Sequence, residues 1–348
     1  RARLAGPSRA AHRNGLPIGA VRAILIGTPI VGGRRRGALL AGGRRGMEFS
    51  GDVLIVGGGV AGLAAALRLG AAGRRVLVVD KAALPRDKVC GEGVMPMGLE
   101  ALRALGLQPA ALPGAPFRGL EYRGHRFGVP LDFRAGLLGR GVRRTALIAA
   151  LHRASEGLPG VSHHADAVRE PLWERGRVVG VRGVHASYRA PVVLAADGVH
   201  SGLARRAGAA LRPYGERMGL RRHYRLAPGV AVPRVIGGLF APYDVYLTPV
   251  GDGTLLATTM TDRAGYRTLV DHYDAFLRAS PCGGLFAGAE PVSAQLGWHH
   301  PLCAPRRYSA GGMLRGGDAG GGVDPCLGMG VSMALASAAF AAECAVGL

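Results

Sequence analysis

Three glycines and one aspartate between residues 57 and 80 carry the most legible chemistry in the chain. Gly57, Gly59 and Gly62 form G-x-G-x-x-G directly after the aliphatic run of residues 53–56. Glycine at the first position permits a tight turn, at the second lets backbone approach a diphosphate, and at the third lets a helix sit close on a strand. Free N–H groups at the start of that helix take anionic oxygens. Asp80 closes a second aliphatic run, residues 76–79, and is followed by Lys81. A carboxylate at the tip of that strand accepts from both hydroxyls of an adenosine ribose, which favours FAD or NAD over a 2′-phosphorylated nucleotide. The chemistry implied is the holding of a dinucleotide.

The elements that must position these residues are a strand, a helix and a second strand. Residues 53–56 read as a strand buried on both faces. The helical run through Ala64, Ala65, Leu67 and Leu69 stops at Gly70 and Gly73, and residues 76–79 supply the parallel partner. A Gly-Ala-rich helix packing without a ligand would leave three glycines at a strand end unexplained.

Composition narrows the class. With 348 residues the chain can bury one large core or two modest domains. A formal charge of +21 would ordinarily suggest nucleic acid or an anionic membrane. Of the 44 basic residues, however, only Lys81 and Lys88 are lysine, and aromatics for base stacking are 5% of the chain. No nucleic-acid partner is expected. Residues 1–46 hold ten arginines and no acidic, aromatic, Met or Cys residue, and the first Met is Met47. They read as a disordered basic leader or upstream translation. A transit peptide is the alternative, although the stretch has a single Ser and no amphipathic repeat.

The apolar stretch 18–31 is broken by Arg22 and Pro29 and is too short to span a bilayer, so stable membrane insertion is not expected. Five cysteines without a C-x-x-C pair fit a reduced, cytoplasmic protein. His163-His164 and His299-His300 lack metal-ligand spacing, and no metal site is expected.

After Asp80 the loop 84–96, L-P-R-D-K-V-C-G-E-G-V-M-P, leaves the strand end where open α/β sheets bind ligands, and a helix follows from Gly98. Residues 52–110 resemble the FAD-binding start of the FAD-dependent monooxygenase (class A flavoprotein hydroxylase) and geranylgeranyl reductase superfamily. By that resemblance Arg86 and Lys88 meet the ribityl-phosphate region and Cys90-Gly91 borders the isoalloxazine. Cys90 also reads as a small buried loop residue.

Arg144, Leu147 and Leu151 match the family's R-x-x-L-D-x-x-L helix, whose arginine faces FAD, with Ile148 in place of the acid. A solvated helix start is the alternative for Arg143 and Arg144. Residues 195–206 resemble the second fingerprint, G-A-D-G-x-x-S-x-x-R, through Asp197, Gly198 and Ser201, with Ala204 in place of the arginine. In the family this turn lies near the pyrophosphate and near where a nicotinamide visits. Residues 313–332 resemble the third fingerprint through Gly317, Asp318, Asp324, Pro325, Gly328 and Gly330. There the Asp holds ribityl hydroxyls, and a helix start faces the flavin pyrimidine, stabilising the charge that builds on reduction.

Between the second and third fingerprints the pattern turns to period two. Tyr243, Val245 and Leu247, the turn Gly251-Asp252-Gly253, and Leu255, Ala257 and Thr259 predict a hairpin. Short antiparallel strands are predicted over residues 119–133, and a hairpin with a following buried strand over residues 178–194. Tyr243, Tyr246, Met260 and Trp298 are pocket candidates, with core packing as the plainer role.

The predicted fold is α/β: a Rossmann-like FAD-binding domain of discontinuous segments, 47–212 and 301–348, with an inserted mostly antiparallel β substrate domain, 213–300. The resemblance implies an FAD-dependent oxidoreductase. The first reading is an NAD(P)H-driven monooxygenase that hydroxylates or epoxidises a small apolar aromatic, polyketide or isoprenoid substrate with O2. With one nucleotide-binding unit in the sequence, NAD(P)H serves as a transient reductant.

The second reading is an ene-reductase of the geranylgeranyl reductase type, favoured by the Cys90-Gly91 turn and weakened by Glu92-Gly93. A flavin halogenase would carry W-x-W-x-x-P, which the sequence lacks. The third reading is a truncated or decayed flavoprotein without turnover, motivated by Ile148, Ala204, Arg315 at a buried strand position and the short stretch after the third fingerprint. No side chain is assigned an obligatory catalytic role, and the oligomeric state is left open.

Overall fold

The computed structural model describes residues 48–134 and 136–347, so the leader expected over 1–46 lies outside the described residues. A six-stranded sheet runs in the order Ser309–Ala310, Met313–Arg315, Val192–Ala195, Val53–Val56, Val76–Asp80, Val161–Ala165. All its neighbours are parallel except the first pair. Its central strands are continuous aliphatic runs because both faces are covered. Val53, Ile55, Val76, Val78, Val192 and Leu194 pack under the helices Val60–Ala71, Arg144–Glu156 and Gly330–Val346. Leu54, Val56, Leu77, Val79 and Val193 face the other way, onto Val178, Val181 and Tyr188 of a four-stranded sheet. Period-two alternation thus persists although every position is apolar.

The strand Val161–Ala165 was not predicted. Its His163-His164 pair is sheet, with His163 Nε2 2.9 Å from Ser155 Oγ and its ring 4.4 Å from that of His152. Glu48–Ser50, also unpredicted, pairs in parallel with Ser187–Arg189.

The second large sheet carries the strands Glu290–Pro291, Arg212–Arg225, Thr254–Thr261, Tyr243–Gly251, Val235–Phe240, Gly119–Arg123 and Gly128–Asp132 in that order, with Leu296–Ala304 also paired to Arg212–Arg225. The predicted hairpin turns through Asp252 and Gly253, both at positive φ, +51° and +62°. Leu220, Tyr224, Val245, Leu255 and Ala257 close this sheet onto Leu269, Tyr273, Leu277 and Phe286.

This sheet also takes in Gly119–Arg123 and Gly128–Asp132, which come from within the segment 47–212 assigned from sequence to the nucleotide side. Among the described residues Gly128–Asp132 is an unpaired edge of this sheet, and Phe127, Val129 and Leu131 there are about half exposed. No helix among the described residues is long and apolar enough to cross a membrane.

Candidate functional site

A cavity of about 580 Å³ opens where the parallel strands end. Val56 and Gly57, Val79 and Asp80, Ala196 and Asp197, and Gly316 and Gly317 each follow or finish a different strand, and all line it. The ends of parallel strands offer such a crevice because the connections diverge there to opposite sides of the sheet.

The glycine turn is set by steric necessity. Gly57 has φ +111°, and a Cβ on it would lie 2.3 Å from the carbonyl oxygen of Ala196. A Cβ on Gly62 would lie 1.8 Å from the Gly57 carbonyl oxygen, so the helix can sit this close only with glycine there. Gly59, the N-cap of the helix Val60–Ala71, has nothing within 4 Å of its Cβ position. Gly198 and Gly330 are open in the same way, and Gly330 begins the 17-residue helix Gly330–Val346. Two helix starts therefore converge on one cavity, each with N–H groups and partial positive charge directed at what enters it.

Asp80 is buried. Its Oδ2 accepts from Gly58 N at 2.6 Å and its Oδ1 from Ala82 N at 3.0 Å, while Arg86 Nη2 stands 3.1 Å from Oδ2. Arg86 is thus placed on Asp80, whereas Lys88 reaches across to Asp318, 3.1 Å from Nζ to Oδ2, with the Lys88 ammonium 5.0 Å from the Trp298 ring centre. Lys81 also lines the cavity. Arg144 opens its helix at the wall and holds Nη1 3.9 Å from Cys90 Sγ. Ile148, at the position of the family's acid, is buried in the core beneath.

Asp197 follows the strand Val192–Ala195; its Oδ2 accepts from Leu203 N at 3.4 Å, and its buried Oδ1 has no partner among the described residues. Burial pushes this carboxyl above its ordinary pKa. Ser201 caps the short helix Gly202–Arg206 by accepting from Ala204 N at 2.9 Å, and Ala204 is buried where an arginine is usual. In the third segment Asp324 caps the turn Pro325–Leu327 through Cys326 N, and Gly328 turns the chain at φ +62° into Gly330. Of the cofactor-binding residues expected from the sequence, all but Gly62, which packs behind the turn, and Ser201, which caps its helix, line this one wall.

The opposite wall comes from the second sheet: Gly219, Val235, Tyr246, Thr248, Thr258, Met260, Trp298 and His300. Burial holds the His300 imidazole below its ordinary pKa, which favours the neutral ring. Tyr246, Met260 and Trp298 are cavity residues, whereas Tyr243 packs edge-on against Phe276 at 4.8 Å. Arg315 is buried as expected: Nη1 donates to Ala209 O at 2.7 Å, Nε finds no hydrogen-bond partner among the described residues, and burial lowers its pKa. Glu92, Arg221 and His223, which have no place in any motif, form a buried polar group beside the wall. The available signal was Arg221 and His223 two apart in a period-two strand that must face inward.

The open backbone at Gly59, Gly198 and Gly330, the two helix starts and the orphaned Asp197 oxygen suit a flavin dinucleotide laid along the strand ends. The fold is that of a nucleotide-binding parallel sheet capped by a second, largely antiparallel sheet.

The FAD binding domain family matches residues 50–220. Digeranylgeranylglycerophospholipid reductase 2 of Methanopyrus kandleri is 31% identical over 322 residues, 86% of this chain and 77% of the reductase. The chain therefore belongs to the FAD-dependent monooxygenase and geranylgeranyl reductase superfamily. Menaquinone reductase of Mycobacterium tuberculosis is 33% identical over 200 residues, a match that spans 53% of this chain and 44% of that enzyme. The flavin-dependent brominase Bmp2 has a similar fold, with TM-score 0.77 at 21% identity, over 86% of this chain and 79% of that one.

Proposed function

We propose that the chain is an FAD-dependent oxidoreductase acting on an elongated apolar substrate of isoprenoid type. The observation that carries this reading is the continuity of one cavity from the diphosphate-type glycine turn to the apolar wall of the second sheet. In this reading Gly57, Gly59 and the start of the helix Val60–Ala71 hold the diphosphate, with Gly62 allowing the helix its close approach. Asp80 takes the adenosine ribose, with Lys81 and Arg86 beside it. Asp318 and Lys88 hold the ribityl end, and Pro325, Gly328 and Gly330 aim the last helix at the ring. Arg144, Cys90, Asp197 and Gly198 complete that wall.

FAD, when bound, supplies two-electron redox chemistry. The protein orients the substrate, excludes water through Val235, Met260 and Trp298, and presents helix-start charge where the ring becomes anionic. NAD(P)H acts as a visiting reductant in the crevice by Gly198 and His200.

Double-bond reduction is the first reading, because a relative matching 86% of the chain is named a digeranylgeranylglycerophospholipid reductase. Oxygen insertion is the second, favoured by the apolar side chains Val235, Met260 and Trp298 on that wall, which would keep water from an oxygen-transfer step.

Two measurements test this. The purified chain is expected to carry a yellow flavin that bleaches with NADPH without oxygen and recovers in air. Incubation with a geranylgeranyl lipid is expected to add 2 mass units for reduction and 16 for oxygen insertion. Colourless protein that does not take up added FAD would leave the decayed-flavoprotein reading standing.

A further inference from the structure

The loop carrying Lys88, Val89, Cys90 and Gly91 along the cavity ends in two acids, Asp87 and Glu92, and both meet the same strand of the other sheet. Arg221 and His223 stand two apart on Arg212–Arg225 and so project from one face. Arg221 Nη2 donates to Asp87 Oδ2, and His223 Nε2 lies 2.8 Å from Glu92 Oε2. The two bases also touch, with Arg221 Nη1 3.1 Å from His223 Nδ1. A guanidinium only donates, so Nδ1 accepts, and the imidazole proton sits on Nε2, pointing at Glu92. Ser293 does not disturb this assignment, because its hydroxyl donates to Ala294 O.

Glu92 is fully engaged. Oε1 accepts from Arg144 N at 2.9 Å, its carbonyl accepts from Val142 N at 2.9 Å, and its own N–H donates to Cys90 Sγ at 3.4 Å. Its φ is +56°, in the left-handed region that disfavours a side chain, and such a conformation persists where surroundings over-determine it. Glu92, His223 and Arg221 are all buried, while the Asp87 side chain is 44% exposed. His223 and Arg221 do not line the cavity; Asp87 and Glu92 do.

We propose that Arg221 and His223 are positioning residues that strap loop 87–92 at both ends to the second sheet, so that the wall bearing Lys88 and Cys90 takes its binding shape only when the two sheets are joined. The substrate sheet thereby sets the affinity of the cofactor wall without touching what binds there. The inference rests on the FAD reading for its functional consequence, but the strap itself can be read in the FAD-free chain.

The test is amide hydrogen exchange on the full chain without FAD, comparing wild type, His223→Ala and His223→Gln, alongside FAD titration of each. Loss of a buried hydrogen bond to a charged group predicts exchange over residues 88–93 roughly tenfold faster in His223→Ala, with residues 254–261 unchanged. FAD affinity is expected to fall by a similar factor, and His223→Gln, which keeps a donor, to recover most of both.

Unchanged exchange over 88–93, or an equal rise over 254–261, would overturn the strap. Should His223→Ala not fold, Asp87→Asn reads the other anchor at a half-exposed site, where faster exchange over 87–91 supports the strap and unchanged exchange overturns it. Wild type that binds no FAD would sink the functional reading while leaving the exchange comparison decisive.

Discussion

The two walls of the cavity are built on different principles. The wall of the parallel sheet grips through backbone: Gly57, Gly59, Gly198 and Gly330 stand where a side chain would collide or would fill the space a ligand needs. The wall of the second sheet works through side chains, Val235, Tyr246, Thr258, Met260 and Trp298, on ordinary extended strands. A backbone grip prescribes residue type, because only glycine satisfies it, whereas an apolar wall prescribes volume and polarity and leaves identity free. The first wall is therefore written in motifs and the second is not.

That contrast can be broken or sharpened by substitution. The largest effect is expected at Gly62→Val, whose Cβ would lie 1.8 Å from a backbone oxygen. A destabilisation of roughly 3 kcal/mol or more, with loss of FAD retention, is expected in thermal melts and absorbance spectra. A stable, yellow Gly62→Val protein would mean that the helix does not need this close approach.

Asp80→Ala comes next. It frees the N–H groups of Gly58 and Ala82 and removes the ribose acceptor, so FAD affinity is expected to fall by about 1.5–3 kcal/mol in a fluorescence titration. Met260→Ala, on the other wall, is expected to cost about 2 kcal/mol of stability yet leave FAD affinity within roughly twofold, while turnover of an apolar substrate drops. Equal loss of FAD binding at Met260 and at Asp80 would erase the distinction between the walls.

The smallest effect concerns Asp197. Its folded-state pKa lies above the ordinary 3.8 because burial disfavours the carboxylate. The native state thus holds the proton to higher pH than the unfolded chain. The associated stability is fully present below about pH 3.8 and is lost as pH rises through the native value. Asp197→Asn is expected to flatten this part of the melting temperature profile, and parallel profiles for both proteins would count against the raised pKa.

Much of the nucleotide wall was legible because strand, glycine turn, helix and acid are contiguous within residues 53–80, and each has a local signal. The third fingerprint was legible for the same reason. The strand Val161–Ala165 was not: its Ser162, His163 and His164 break the aliphatic pattern, and only pairing with Val76–Asp80 makes it a strand. The hairpin over 119–132 was read as strands, but its membership in the second sheet depends on a contact with Val235–Phe240, more than a hundred residues away. Glu92 looked like a departure from a glycine-rich turn. Its partner His223 lies about 130 residues on, as does Arg221 from its own partner Asp87, beyond any local pattern.

The free edge at Gly128–Asp132 has its own implication for how the protein behaves at high concentration. A row of backbone groups unpaired among the described residues and flanked by Phe127, Val129 and Leu131 is a template on which another chain can add strand by strand. Pro130 sits in the middle of that strand and has no N–H to contribute. A single imino acid thus acts as a selvedge, finishing the sheet so that it does not fray into a neighbour, and replacing it with valine would turn a closed hem into a seam.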